Sequence, residues 1–160
     1  MGDLAEFSLP VQLILRAYPW RRIDPVPWAP LRRPLAECRV ALVSSAGFIQ
    51  PGQQPFDETI KGGDWSFREL PSDVDVSVLK LTHRSQSFDH AAVESDPNVA
   101  FPIDRLRELK ASGRIGSINR RHFSVMGSIV APGRFTRDTT PAIARALAAD
   151  QVEVALLVPV

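Results

Sequence analysis

The sequence predicts an α/β fold: a mostly parallel, doubly wound sheet, incomplete at its C-terminus. Two near-continuous apolar runs, 39–47 (RVALVSSAG) and 152–160 (VEVALLVPV), read as strands buried on both faces, as parallel strands are. Segments with helical periodicity or helix-start signals alternate with the strands, and that alternation points to strand-helix-strand crossovers. No internal repeat or low-complexity tract competes with this organisation.

Taken in order, residues 1–34 form an N-terminal segment, and residues 35–160 form the α/β domain. Pro19, Pro25, Pro27, Pro30 and Pro34 exclude regular helix or central strand from residues 18–34. Trp20 and Trp28 are then expected to anchor an extended arm, while Arg21, Arg22, Arg32 and Arg33 form a solvated basic face. After the strand at 39–47, a turn-rich loop with Pro51, Gly52, Pro55, Gly62 and Gly63 leads to a shorter, half-exposed strand near an edge at 65–70 (WSFREL). Residues 76–83 (VSVLKLTH) read as a further strand that delivers His83 to the mouth of the sheet.

Residues 84–100 are irregular and polar. A helix opens at Pro102 and closes at Gly113; Ile103, Leu106 and Leu109 mark its buried side, and its charges are read as solvated. Residues 121–127 (RHFSVMG) read as a strand. Thr140 and Pro141 start a helix through Ile143, Ala144, Leu147 and Ala148, and the last strand begins at about Val152. The order of elements is that of a flavodoxin- or Rossmann-like sheet, whose chemistry sits beyond the carboxyl ends of its strands.

Charge and composition exclude several classes. Lys and Arg total 19 against 18 for Asp and Glu, so the net charge of +1 supplies no field to attract nucleic acid or an anionic membrane. The start of the chain lacks the pattern of a signal peptide, and no apolar run reaches the length of a membrane span. A cytoplasmic protein is expected. Cys38 is the single cysteine; it excludes an internal disulfide or a cysteine-rich zinc site and is expected to be structural.

Phosphate-binding, zinc-protease and nucleophile-elbow motifs are absent, and the short run 113–116 (GRIG) is better read as a helix stop and turn. The spacing of His83, His90 and His122, with Asp89, matches no ligand pattern, so no metal is expected. Even so, His83, Asp89 and His122 define a hydrolytic or metal site as a third-ranked reading. His83 is either an acid/base candidate or a histidine bonded to loop carbonyls. Arg84, Arg120 and Arg121 are either carboxylate binders or surface charges.

The stretch 96–109 (DPNVAFPIDRLREL), followed by 113–117 (GRIGS), resembles the selenoprotein B family of glycine, sarcosine, betaine and D-proline reductases. The chain is similar to that family also at 39–47, at Thr82-His83 with Phe88-Asp89, at 122–127 and at 152–160, together most of the sequence after about Trp28. The proline and tryptophan arm is similar to that of short members. The resemblance implies reductive cleavage of a carbon–nitrogen bond in an amino acid or related amine. In that chemistry a selenolate or thiolate attacks, and a thiol electron donor later reduces the product.

In that family the last strand leads directly into the selenocysteine or cysteine, then a proline and another cysteine. The resemblance therefore implies that the nucleophile is expected directly after Val160, and that none of the catalytic nucleophiles lies within the 160 residues. Because selenocysteine is encoded by UGA, the expectation is a codon read as stop, leaving a form without reductase turnover and prone to self-association. The alternative is a non-catalytic module that binds a small molecule or a partner subunit. Matching motifs and strand ends place Ser44, Ser45, Gly47, His83, Arg84, Met126, Gly127 and Pro159 around the substrate cleft. Selenocysteine is expected in the full-length form, with no other cofactor. Expected partners are a small amine or amino-acid substrate, a thiol donor and a partner reductase subunit, with no nucleic acid or membrane.

Overall fold

A computed structural model describes residues 7–18, 22–85 and 89–160. Pro19, Trp20, Arg21 and Phe88 lie outside the described residues. The chain divides into two compact units, 1–30 and 31–160.

The first unit contains a helix that the sequence reading lacks, α1 (Leu9–Ala17). Pro10 sits in its first turn, where a missing N–H costs nothing. Residues 22–30 carry neither helix nor strand, as their prolines require. Trp28 is 86% exposed.

The second unit is built around β1 (Arg39–Ser44), the expected buried strand. It pairs in parallel with β7 (Val154–Val158) along one side, and with β5 (Ser117–Ile118) and β6 (Arg121–Val125) along the other. Beyond β6 lies β3 (Phe67–Pro71), antiparallel and at the edge. The sheet is therefore mostly parallel.

Helices cover both of its faces. On one face, Val40, Leu42 and Leu70 pack with Phe101 and with Ile103 and Leu106 of α3 (Ile103–Ala111). Val93 of α2 (His90–Ser95) joins them. On the other, Phe123 and Val125 pack with Ile143 of α4 (Thr140–Ala149). Gly113, at φ +68°, closes α3: its N–H donates to the Lys110 carbonyl, and the Arg114 N–H donates to that of Leu109. This is the left-handed helix stop the sequence predicts.

The strand predicted at 76–83 is not part of the sheet. Asp75 accepts hydrogen bonds from the Ser77 N–H at 2.9 Å and the Ser77 hydroxyl at 2.7 Å, winding residues 76–78 into a short 3-10 turn. Only β4 (Lys80–Leu81) follows, antiparallel to β2 (Phe48–Ile49) in a separate two-stranded ribbon. The irregular stretch at 84–100 holds α2, because the Asp89 carboxylate caps it by accepting the Ala92 N–H at 3.0 Å.

Thr140 and Pro141 open α4 as expected, but Thr140 is already helical and its side chain does not cap the helix. The Thr140 hydroxyl donates back to the Phe135 carbonyl at 3.1 Å, and a π-helical turn at Phe135–Thr139 leads into the helix. The last strand, expected to be buried, is an edge strand with Leu156 and Leu157 exposed. Leu109 is also exposed rather than buried, and Arg107, expected to be solvated, donates to the Ser72 and Val74 carbonyls at 2.7 and 2.8 Å.

Cys38 is fully buried, and burial pushes its thiol up from the usual range. Its sulfur donates to the Pro34 carbonyl at 3.3 Å. A thiol reagent is therefore expected to modify Cys38 roughly tenfold or more slowly in the folded chain than in denaturant. Equal rates in a stopped-flow thiol assay would show that the site is open.

Candidate functional site at the carboxyl ends of the sheet

Three parallel strands, β1, β6 and β7, end at the same edge of the sheet, so the residues that follow them meet there. The hydrogen bonds are dense. The Ser45 N–H donates to the Val158 carbonyl at 3.0 Å, and the Gly127 N–H donates to the Ser45 carbonyl at 2.8 Å. The Val160 N–H donates to Ser45 Oγ at 2.9 Å. Ser44, fully buried, points its hydroxyl the other way and donates to the Ala100 carbonyl at 2.7 Å.

Two glycines are required here. A Cβ on Gly127 would lie 2.9 Å from the Ser45 side chain and carbonyl, too close to be tolerated without movement. Gly47 has φ +71°, and its carbonyl accepts both the N–H and the hydroxyl of Thr82, at 3.1 and 2.7 Å. Through Thr82, β4 and its following loop are tied to the end of β1.

That tie brings His83 and Arg84 to the same edge, although the strand expected to carry them is reduced to β4 and lies outside the main sheet. His83 is 6% exposed, and its Nδ1 accepts the Ser85 N–H at 3.1 Å. Burial, and then the neighbouring His90, hold its pKa below the ordinary histidine value, so the imidazole is neutral near pH 7. Arg84 is engaged with its own chain. Its guanidinium donates to the Ile60 carbonyl at 3.1 Å and to the Ser128 carbonyl at 3.0 Å, pinning the loop after β6. It clamps a loop of its own chain.

Beside this edge, on the α4 face, lies an apolar cleft of about 340 Å³. Its wall includes Val125, Phe135, Ile143, Leu147 and Leu157; its hydroxyl-bearing residues are Ser44, Ser45 and Thr140. Of the residues predicted for the cleft, Ser44, Ser45 and Pro159 line this volume, while Gly47, Met126 and Gly127 form the turns behind it. The wall residues Phe135 and Ile143 went unrecognised; their spacing is that of one helix face, and only packing shows which face meets the strand ends.

His122 sits inside the sheet rather than at its mouth. Between β5 and β6 the ladder is interrupted at Asn119 and Arg120, and the imidazole fills the gap: Nδ1 accepts the Leu42 N–H at 2.9 Å. Burial, reinforced by Arg107, lowers its pKa to about 4. His122 is thus a neutral substitute for a backbone acceptor. With Asp89 capping α2, two members of the proposed hydrolytic or metal constellation are committed to structure. Among the described residues, no three His, Cys, Asp or Glu side chains lie together as metal ligands.

Arg120 and Arg121 lie at the opposite end of β6 from the cleft. Arg121 Nε donates to the buried Asp150 carboxylate at 2.7 Å, joined by Asn119 Nδ2 at 3.0 Å. The Arg121 bond, supported by Asn119, holds Asp150 down to about pKa 2. These arginines bind a carboxylate of their own chain, a local partner that the spacing of residues 121 and 150 did not reveal.

Fold and site define an α/β protein whose working edge is formed by the carboxyl ends of three parallel strands. The family model for glycine/sarcosine/betaine reductase selenoprotein B matches residues 15–159, and the chain belongs to that family. It is 34% identical over 136 residues to D-proline reductase subunit gamma of Acetoanaerobium sticklandii, covering 84% of this chain and 54% of that protein. It is 26% identical over 111 residues to sarcosine reductase complex component B subunit beta of Peptoclostridium acidaminophilum, covering 69% of this chain and 26% of that protein. Glycine reductase complex component B subunit gamma of Carboxydothermus hydrogenoformans is 25% identical over 110 residues, with 69% of this chain and 25% of that protein covered. The chain thus spans about half the length of the first relative and about a quarter of the other two. No solved structure matches. Among the described residues, no helix is long and apolar enough to cross a membrane.

Proposed function

We propose that this chain forms the substrate-facing part of a reductase subunit that cleaves a carbon–nitrogen bond in an amino acid or related amine. The observation that carries the reading is the convergence of β1, β6 and β7 on Ser45 beside an apolar cleft, in a chain of this family. Leu157, Val158 and Pro159 line that cleft, so the end of β7 runs along it toward the position after Val160. The reading places the selenolate or thiolate there. The reaction is a two-electron reduction: the carbon–nitrogen bond is replaced by carbon–hydrogen and nitrogen–hydrogen bonds, while a dithiol donor becomes a disulfide. A selenol is largely ionised at neutral pH and so needs less activation by neighbouring groups than the thiol of an ordinary cysteine.

Partner subunits are part of the proposal, since relatives are named as components of reductase complexes. The test is the reading frame beyond Val160, followed by assay of the protein it encodes. Amine-dependent oxidation of dithiothreitol is expected of the protein that carries a selenocysteine or cysteine directly after Val160, and not of the 160-residue chain. Turnover by the 160-residue chain, or no turnover by the extended protein with any candidate amine, overturns the reading. The second reading, a non-catalytic module for a small molecule or a partner, draws support from a cleft wall without an ionisable nucleophile, and absence of turnover by the extended protein favours it.

A further inference from the structure

We propose that Ser45 is the positioning residue of this edge: it fixes the direction in which β7 leaves the sheet and so places the reacting group of the reductase site. The inference rests on the reductase reading for its chemical consequence and on the hydrogen bonds of one residue for its geometry. Ser45 uses three of its polar groups on the two neighbouring strands. Its N–H donates to the Val158 carbonyl at 3.0 Å, and its carbonyl accepts the Gly127 N–H at 2.8 Å; any residue at position 45 can make these bonds. The third bond depends on the side chain: Ser45 Oγ accepts the Val160 N–H at 2.9 Å.

The third bond lies beyond the last paired residue of β7, because the parallel ladder with β1 ends at Ser44 and Val158. Pro159 has no N–H to give, so the Val160 amide is the next donor after the ladder stops. Ser45 Oγ therefore extends the hold of the sheet by two residues, up to the position where a reacting side chain has to be aimed. Gly127 keeps the space for this arrangement, since a Cβ there would meet Ser45 Oγ, Cβ and carbonyl at 2.9 Å. Ser44 does not share the role: it is buried, and its hydroxyl is bound to the Ala100 carbonyl on the opposite side.

Amide hydrogen exchange by NMR on the 160-residue chain tests the clamp, with the Gly127 amide as internal reference because its acceptor is backbone. Ser45→Ala is expected to speed exchange at Val160 by roughly tenfold while Gly127 stays within about twofold, and Ser45→Thr restores protection. Equal exchange at Val160 in wild type and Ser45→Ala overturns the clamp. So does an equal acceleration at both amides, which reports general loosening. In the protein from the full reading frame, Ser45→Ala is expected to lower kcat by roughly ten- to a hundredfold with little change in KM, and Ser45→Thr to recover it. An unchanged kcat overturns the positioning role. Absence of turnover in the unsubstituted full-frame protein instead marks failure of the reductase reading, and the exchange data still decide the clamp.

Discussion

Acidification from pH 7 to about pH 4 is expected to lower the free energy of unfolding by roughly 3 kcal/mol, and His122→Asn to remove most of that loss. The imidazole is buried, accepts the Leu42 N–H through Nδ1, and has its pKa lowered from 6.5 to about 4. The sign follows from proton counting. Between the two values the unfolded chain takes up a proton at His122 and the folded chain does not, so stability falls as pH falls through that window. His83, also shifted down, adds in the same direction. Asp150, at about pKa 2, is still ionised in the folded chain and begins to contribute as pH falls toward the unfolded aspartate value near 4, so the histidine effect is read between about pH 7 and 5. Asparagine places an acceptor oxygen near the position of Nδ1 and has no proton to bind. Urea titrations across the pH range measure the effect. An identical slope in wild type and His122→Asn would remove His122 as its cause.

Phe101→Ala is expected to cost roughly 3 to 5 kcal/mol, a large share of the total stability of a domain this size. The ring is fully buried and sits edge-on to Phe48, with centroids 6.4 Å apart, and to His122, at 6.0 Å. It therefore joins the ribbon strand β2 to the centre of the sheet. Its removal leaves a cavity among groups held by β1, α3 and the His122 bond, which cannot all relax toward it. The neighbouring Ala100 carbonyl, which accepts the Ser44 hydroxyl at 2.7 Å, links the same site to the strand ends. Phe101→Leu is expected to cost roughly half as much, because it restores part of the volume. Denaturant midpoints at neutral pH give both values; a loss below about 1 kcal/mol for the alanine variant would mean that the site collapses freely.

The elements legible in the sequence were those specified by short-range pattern. β1 announces itself by an unbroken apolar run, β3 by its half-exposed alternation, and α3 by a proline start, apolar spacing and a glycine stop. Where local pattern and local hydrogen bonding competed, pattern misled. Residues 76–83 carry a strand-like sequence, yet Asp75 and Ser77 turn the backbone before it can extend. The irregular stretch at 84–100 conceals a helix whose cap, Asp89, carries a residue type that fits a metal ligand equally well. For charged residues, identity predicted the chemistry but not the partner: Arg84 and Arg121 bind carbonyls and a carboxylate of their own chain.

The sequence by itself determined the family, the parallel strands and the cluster of small residues that ends β1, because these depend on residue type and near-neighbour spacing. Tertiary structure alone decided that His122 completes a broken ladder, that β7 lies at an edge with Leu157 exposed, and that Ser45 reaches the Val160 amide. Those three facts join residues 80 to 115 positions apart or depend on which strands become neighbours. Separations of that size are set by the packing of the whole sheet. A hydroxyl or an imidazole carries no local mark of the distant N–H it will bind.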